Sequence, residues 1–172
     1  TGRATAVAAI GLEVRGAGVE KGMRTCRLPG RRFEDKGRYH GAQVCDDYAH
    51  HPSEVEALLD TARQLPYQRV VLAFQPHTYS RTHELFDDFV RVLQKADVTL
   101  LAEIFAARED NTVGISSKDL ADHIPGSIYC PTLEDVTAAL RDIARPGDLI
   151  LTVGAGDIYL AGEALVAQDS PG

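Results

Sequence analysis

The chain has 172 residues, of which 44% are hydrophobic and 25% are charged, and its formal net charge is −7. This length fits one domain, with room for a fragment of a neighbouring one. The acidic balance argues against a general nucleic-acid-binding surface and against a surface for anionic membranes, so neither class of partner is expected.

The first part of the chain predicts little regular structure apart from one helix over residues 4–12. A stretch punctuated by glycine follows it. The segment LPGRRFEDKGRYHG, residues 28–41, is rich in Gly, Pro and charge and is interpreted as a linker that leads into the main domain. Its basic residues are compatible with a solvated loop.

From residue 42 onward, short apolar runs alternate with segments of helical periodicity. Strands are predicted over residues 42–45, 69–74, 98–102, 127–129 and 148–153. Helices are predicted after each strand. The first starts at a capping box of Ser53 and Glu56, and the second has an apolar stripe from Leu85 to Leu93. The others are predicted over 117–123, after a cap of Thr132 and Asp135, and from GAGD to about residue 166. The strands are continuous apolar runs, which is typical of a parallel sheet covered on both faces. The predicted fold class is therefore α/β, an open, mostly parallel, Rossmann-like sheet with helices on both faces.

Dense polar sequence follows three of the predicted strands. The segments are DDYAHHPSE at 46–54, QPHTYSRT at 75–82 and GAGD at 154–157. In open α/β sheets, ligands bind beyond the carboxyl ends of the strands. If the strands are parallel, the three segments share one rim, and this rim is the predicted site.

Less specific interpretations apply to each segment. Asp46 and Asp47 could cap a turn, and His50 and His51 could be exposed loop residues. A zinc site that combines these histidines with His77 and an aspartate is disfavoured, because adjacent histidines ligate one ion awkwardly and no ligand spacing supports it.

His77 and Arg81 are four residues apart, so they share one face if the segment is helical. Together with a helix N-terminus they would form a cationic site for a carboxylate. Arg81 would contribute most, since a hydrogen bond to a charged group contributes about 1.5–3 kcal/mol and a helix N-terminus about 0.3–1 kcal/mol. The alternative is a surface pair between Arg81 and Glu84. GAGD lacks the GxGxxG spacing and favours a tight structural turn, and no P-loop sequence occurs in the chain.

Three cysteines, Cys26, Cys45 and Cys130, are widely spaced and form no CxxC pair. They predict reduced thiols in a cytoplasmic protein. No apolar run approaches the roughly 20 residues that span a bilayer, and the start of the chain does not match a signal peptide. Because the chain begins without Met inside an alanine-rich helical pattern, we expect it to derive from a longer protein.

Four motifs occur in a characteristic order: RRFE at 31–34, DDYAHHPSE, FQPHTYSRT at 74–82, and GAGDI at 154–158. In this order and spacing they resemble the C-terminal domain of the Mur ligase family, and within it the ligases that act on L-alanine. The resemblance covers essentially the whole chain. It implies that residues 1–28 are the C-terminal remnant of a central ATPase domain and that residues 29–172 are the amino-acid-binding domain.

The resemblance also implies an activity in peptidoglycan biosynthesis. ATP would phosphorylate the carboxylate of UDP-N-acetylmuramate, and the amine of L-alanine would attack the acyl phosphate to give the amide, ADP and phosphate. The implied cofactors are ATP and Mg²⁺, held mainly by the central domain. The chain alone would then be inactive, since half of each site is missing.

The resemblance implies roles for six residues and no catalytic residue or metal ligand. ATP would be bound by Arg32, at the phosphates, and by Asp47, at the ribose; the amino-acid substrate would be bound by Tyr48, His50, His77 and Arg81. Thr78 stands where many relatives carry Arg, which removes one cation from this site. Two alternatives remain: a stand-alone α/β domain that binds a small amino acid or nucleotide, and the related ligase that recycles a murein tripeptide, which shares the first polar block but not usually the second.

Overall fold

The structure, a computed structural model, describes residues 32–169. The helix predicted over residues 4–12 and the domain boundary predicted at residue 28 lie outside the described residues. The elements are β1 Glu34–Tyr39, β2 Ala42–Asp47, α1 Pro52–Arg63, β3 Arg69–Phe74, α2 Tyr79–Glu84, α3 Phe86–Leu93, β4 Val98–Ala102, α4 Ser117–Asp122, β5 Ile128–Cys130, α5 Leu133–Ile143, β6 Asp148–Val153 and α6 Tyr159–Ala167.

The strands form one six-stranded sheet in the order β1-β2-β6-β3-β4-β5. Only the β1–β2 pair is antiparallel, and the other four pairs are parallel. The prediction of an open, mostly parallel α/β sheet is confirmed. The last strand, β6, lies between β2 and β3, with Val153 level with both Asp47 and Phe74. The carboxyl ends of these three strands therefore meet at one rim.

Two hydrophobic cores cover the two faces of the sheet. One core packs α1, α3 and α4 against the sheet around Leu59, Phe74 and Phe89. The other packs α5 and α6 around Leu140 and Leu165. Each large apolar side chain that is fully buried stabilises the fold by about 1.5–3 kcal/mol. The sheet is thus a rigid base, and the loops at its carboxyl edge are placed by well-packed strands.

The prediction that residues 28–41 form a linker is wrong for Glu34–Tyr39, because these residues form β1 and pair with β2. A two-residue turn joins these strands, with φ angles of 47° at His40 and 85° at Gly41. Positive φ at both positions is the geometry of the tightest hairpin turns, which favour glycine. The basic character of this segment is also partly neutralised, because Lys36 Nζ lies 2.7 Å from a Glu163 carboxylate oxygen on α6.

The capping box predicted from Ser53 and Glu56 is also wrong. The N-cap of α1 is His51, whose side chain accepts from Ser53 N, and Glu54 accepts from His51 N at 3.1 Å. Pro52 explains this displacement, since its missing N–H and fixed φ suit the first position of a helix. The capping box predicted at the start of α5 is confirmed.

Cys45 and Cys130 are buried free thiols, and Cys26 lies outside the described residues. Among residues 32–169, the helices are too short or too polar to cross a membrane.

Candidate functional site

The structure brings the polar segments after β2 and β3 together at one rim. The His50 and His77 rings lie 6.0 Å apart between centroids, and Tyr48 packs edge-on against His50 at 5.5 Å. One terminal nitrogen of Arg81 lies 3.4 Å from His77 Nδ1. Four of the six residues singled out in the sequence thus form one continuous cluster.

Asp47, the last residue of β2, holds the backbone on either side of this rim. Its two carboxylate oxygens accept hydrogen bonds from Phe33 N at 2.8 Å and from Ala49 N at 2.9 Å. Burial raises the pKa of Asp47, although these two hydrogen bonds act in the opposite direction. Asp46 is fully buried and accepts from the Thr152 hydroxyl at 2.7 Å. The turn-capping interpretation therefore describes the observed contacts of Asp47, whereas Asp46 joins β2 to the neighbouring strand β6.

A cavity of about 410 Å³ opens between Asp47 and α1. Arg32 lies exposed at this cavity, and Phe33 forms part of its wall. The remaining lining combines apolar and polar side chains: Tyr48, Ala49, His50, Glu54, Ala57, Leu58 and Thr61. Cavities of this size and mixed character accommodate small organic ligands. Arg32 and Asp47, both predicted to contact a nucleotide, are thus brought together at one cavity.

A second hollow lies beside the first, around the start of α2, and His77 and Arg81 both line it. The His77 ring stacks on Phe105, with centroids 5.6 Å apart and an interplanar angle of 10°. Burial lowers the pKa of His77, and the neighbouring His50 and Arg81 lower it further. His77 is accordingly neutral at pH 7, and Arg81 supplies the permanent positive charge of the hollow.

The alternative pairing of Arg81 with Glu84 is not observed. A terminal nitrogen of Arg81 donates to the carbonyl of His77 at 2.5 Å. Among residues 32–169, no carboxylate forms an ion pair with this half-buried guanidinium. Its remaining N–H groups are available to an anionic ligand.

Sequence reasoning missed Glu109, in the loop between β4 and α4. Its carboxylate accepts from Ser80 N at 2.9 Å, so an internal carboxylate occupies one donor of the helix N-terminus expected to contribute to the carboxylate site. The signal that could have revealed it is topological. Strand β4 is also parallel to β3, so its carboxyl end must reach the same rim as the other three.

The GAGD segment is a tight turn, as its spacing indicated. Gly154 has φ of 149°, and a Cβ there would lie 2.7 Å from the Gln75 carbonyl oxygen. The Gln75 side chain holds the turn by donating to Asp157 at 2.8 Å and accepting from Ile158 N at 3.1 Å. The glycines are therefore explained by close packing between the ends of β3 and β6.

Comparison with known proteins gives a consistent result. The family described as Mur ligase, glutamate ligase domain, matches residues 31–156. A UDP-N-acetylmuramate–L-alanine ligase of Lachnospira eligens is 46% identical over 152 residues, which are 86% of this chain and 33% of that protein. The crystal structure of UDP-N-acetylmuramate-alanine ligase from Thermotoga maritima has a TM-score of 0.64 at 26% identity, covering 91% of this chain and 34% of that chain.

A more distant structure shares the fold. It is a bifunctional folylpolyglutamate synthase/dihydrofolate synthase from Yersinia pestis, complexed with AMPPNP and Mn, with a TM-score of 0.60 and 17% identity over 90% of this chain and 35% of that chain. The chain thus spans about a third of the length of these relatives. Because the family model matches residues 31–156, well over half of the chain, the chain belongs to the Mur ligase family and carries its glutamate ligase domain.

Proposed function

We propose that this chain is the C-terminal part of an ATP-dependent ligase that joins L-alanine to UDP-N-acetylmuramate through an acyl phosphate, in peptidoglycan biosynthesis. The observation that carries the proposal is Arg81, a half-buried cation without a carboxylate partner among the described residues, beside a second cavity on the same rim. Named relatives with 43–49% identity are UDP-N-acetylmuramate–L-alanine ligases. A cytoplasmic location suits this activity and the buried free thiols.

The amino acid would bind in the hollow around Arg81. The guanidinium would hold the carboxylate of L-alanine in a charge-assisted hydrogen bond. His77 would contribute a neutral ring edge, while Tyr48 and His50 would line the side that faces the nucleotide cavity. A fixed carboxylate leaves the amine of the substrate free to point away from the sheet, toward an acyl phosphate held by the rest of the enzyme.

The nucleotide would bind partly in the cavity beside Asp47. Arg32 would contact its phosphates, and Asp47 would accept from a ribose hydroxyl through the lone pairs that its two backbone contacts leave unused. Among residues 32–169, no three side chains are arranged to ligate a metal ion. We assign Mg²⁺ to the nucleotide phosphates and to other parts of the enzyme.

Replacing Arg81 in the full-length enzyme tests the proposal. Arg81→Ala should raise the KM for L-alanine about 10- to 100-fold, since one hydrogen bond to a charged group contributes about 1.5–3 kcal/mol. The KM for ATP should stay within about twofold, because Arg81 lies in the other hollow. ADP release at varied alanine concentration measures both quantities.

Arg91→Ala is the matched control, because this arginine is exposed on α3 and pairs with Glu56 on the outer surface. It should leave both KM values unchanged. An unaltered alanine dependence in Arg81→Ala would remove Arg81 from the proposed role.

The same assay separates the alternatives. A tripeptide-recycling ligase would release ADP with a muramyl-free tripeptide in place of L-alanine. A stand-alone binding domain would bind an amino acid or nucleotide without ADP release. We expect the chain by itself to release no ADP, since it provides only one wall of each site.

A further inference from the structure

The Glu109 carboxylate accepts hydrogen bonds from the residue that precedes Arg81. It accepts from Ser80 N at 2.9 Å and from Ser80 Oγ at 2.5 Å. These two bonds lower the pKa of Glu109. One carboxylate therefore holds both donors of Ser80, its backbone N–H and its hydroxyl.

This contact replaces a cap that α2 lacks. Thr78 occupies the N-cap position, but its side chain makes no capping hydrogen bond. The helix is six residues long, which is too short to be stable without capping or packing. Arg81 is its third residue, so its position depends on whether this first turn forms.

The loop that carries Glu109 is itself anchored to the sheet. Phe105 N donates to the carbonyl of Pro76 at 2.8 Å, and the Phe105 ring stacks on His77. Farther along, the Asn111 side chain both accepts from Ile115 N and donates to its carbonyl, at 3.0 and 2.9 Å. Fixed on both sides, the loop presents the Glu109 carboxylate from a constant position.

We propose that Glu109 is a positioning residue for the amino-acid pocket: it clamps the start of α2 and thereby holds Arg81 where it can bind the substrate carboxylate. This inference rests on the proposed function. Glutamine at this position would have one acceptor oxygen and one amide group, so one of the two Ser80 donors would face an N–H₂ and lose its partner. The second acceptor oxygen of Glu109 is thus required for the complete clamp.

The test uses the full-length enzyme with Glu109→Gln and Glu109→Ala. The KM for L-alanine should rise about threefold in the glutamine variant and about tenfold in the alanine variant. The kcat at saturating alanine and the KM for ATP should change less than about twofold, because the clamp acts on binding and not on the chemical step. Asp110→Asn is the matched control, since this neighbouring carboxylate is exposed and makes no side-chain contact among the described residues; it should behave as wild type.

A rescue variant distinguishes positioning from general damage. Asparagine is a stronger N-cap than threonine, so Thr78→Asn added to Glu109→Ala should restore the KM for L-alanine to within about threefold of wild type. An unchanged KM in both Glu109 variants overturns the proposal, as does a loss confined to kcat or a failure of the rescue.

Hydrogen exchange of the Ser80 and Arg81 amides separates this inference from the proposed function. Exchange should accelerate at least tenfold in Glu109→Ala, and elsewhere in the sheet it should not change. If wild type shows no alanine-dependent ADP release while this local acceleration occurs, the proposed function fails and the clamp remains. If exchange at these two amides is unchanged, the clamp is refuted, whatever the enzyme's activity.

Discussion

Gly156 couples the turn after β6 to the amino-acid pocket, and Gly156→Ala tests that coupling. A Cβ at this position would lie 2.5 Å from Gln75 Oε1 and 2.6 Å from two ring carbons of Phe105. Ordinary carbon contacts begin near 3.4 Å, so both side chains must move by most of an ångström. Phe105 stacks on His77, and its displacement would carry the perturbation into the pocket.

The cost follows from these contacts. Adding a methyl group to a well-packed region costs about 1–3 kcal/mol. Moving Gln75 also strains its bond from the buried Ile158 N, and a buried donor that loses its partner costs about 1–3 kcal/mol. We expect Gly156→Ala to lower the free energy of unfolding by about 2–4 kcal/mol and to raise the KM for L-alanine in the full-length enzyme.

Urea unfolding of the chain measures the first effect, and Gly162→Ala is its control. Gly162 lies in α6, where a Cβ would come no closer than 3.2 Å to Thr152 Cγ2. Alanine favours helix over glycine by about 1 kcal/mol. This gain offsets the cost of the close contact with Thr152, so the control should change the free energy of unfolding little. A loss below about 1 kcal/mol in Gly156→Ala, or an unchanged KM beside a large loss of stability, would contradict the reasoning.

Two further predictions concern charge and pH. Arg69 donates two hydrogen bonds to Asp148, which is 1% exposed, so Arg69→Met should lower the free energy of unfolding by about 3 kcal/mol in urea titrations, because the buried carboxylate loses its charged partner and keeps only the bond from Arg145 N. Burial lowers the pKa of folded His77 below its unfolded value of 6.5, and His50 and Arg81 lower it further. The contribution of neutral His77 to stability is therefore complete above pH 6.5 and is lost as the pH falls through the folded pKa. His77→Gln should thus make the free energy of unfolding depend less on pH below 6.5.

The sequence predicts the parallel part of the fold well because each central strand is a buried apolar run. The strands at 69–74, 98–102 and 148–153 have the predicted bounds. Strand β1 is not predicted because it lies at the edge of the described sheet. Its residues EDKGRY are mostly partly exposed, so no continuous apolar run marks the strand. Its hairpin turn, His40–Gly41, is the only local signal, and it is weaker than the charge and glycine around it.

The candidate site is predictable as far as strand ends define it. Parallel strands place their carboxyl ends at one rim, so the meeting of His50 with His77 follows from topology once the strands are recognised. Glu109 does not follow from any spacing. It lies 29 residues from Ser80, and one of its two contacts there is with a backbone N–H, which any residue type except proline would provide. Contacts of this kind depend on the path of a loop, and a one-dimensional pattern does not encode that path.

The hydrogen bond between Asp47 and Phe33 N ties the backbone at residue 33 to the wall of the cavity beside Asp47. Phe33 has φ of 45°, in the left-handed region that residues other than glycine rarely adopt. A rotation of the backbone at Phe33 would therefore either break this bond or move the 47–49 turn with it. The wall of this cavity would then change shape while the packed sheet stays as it is.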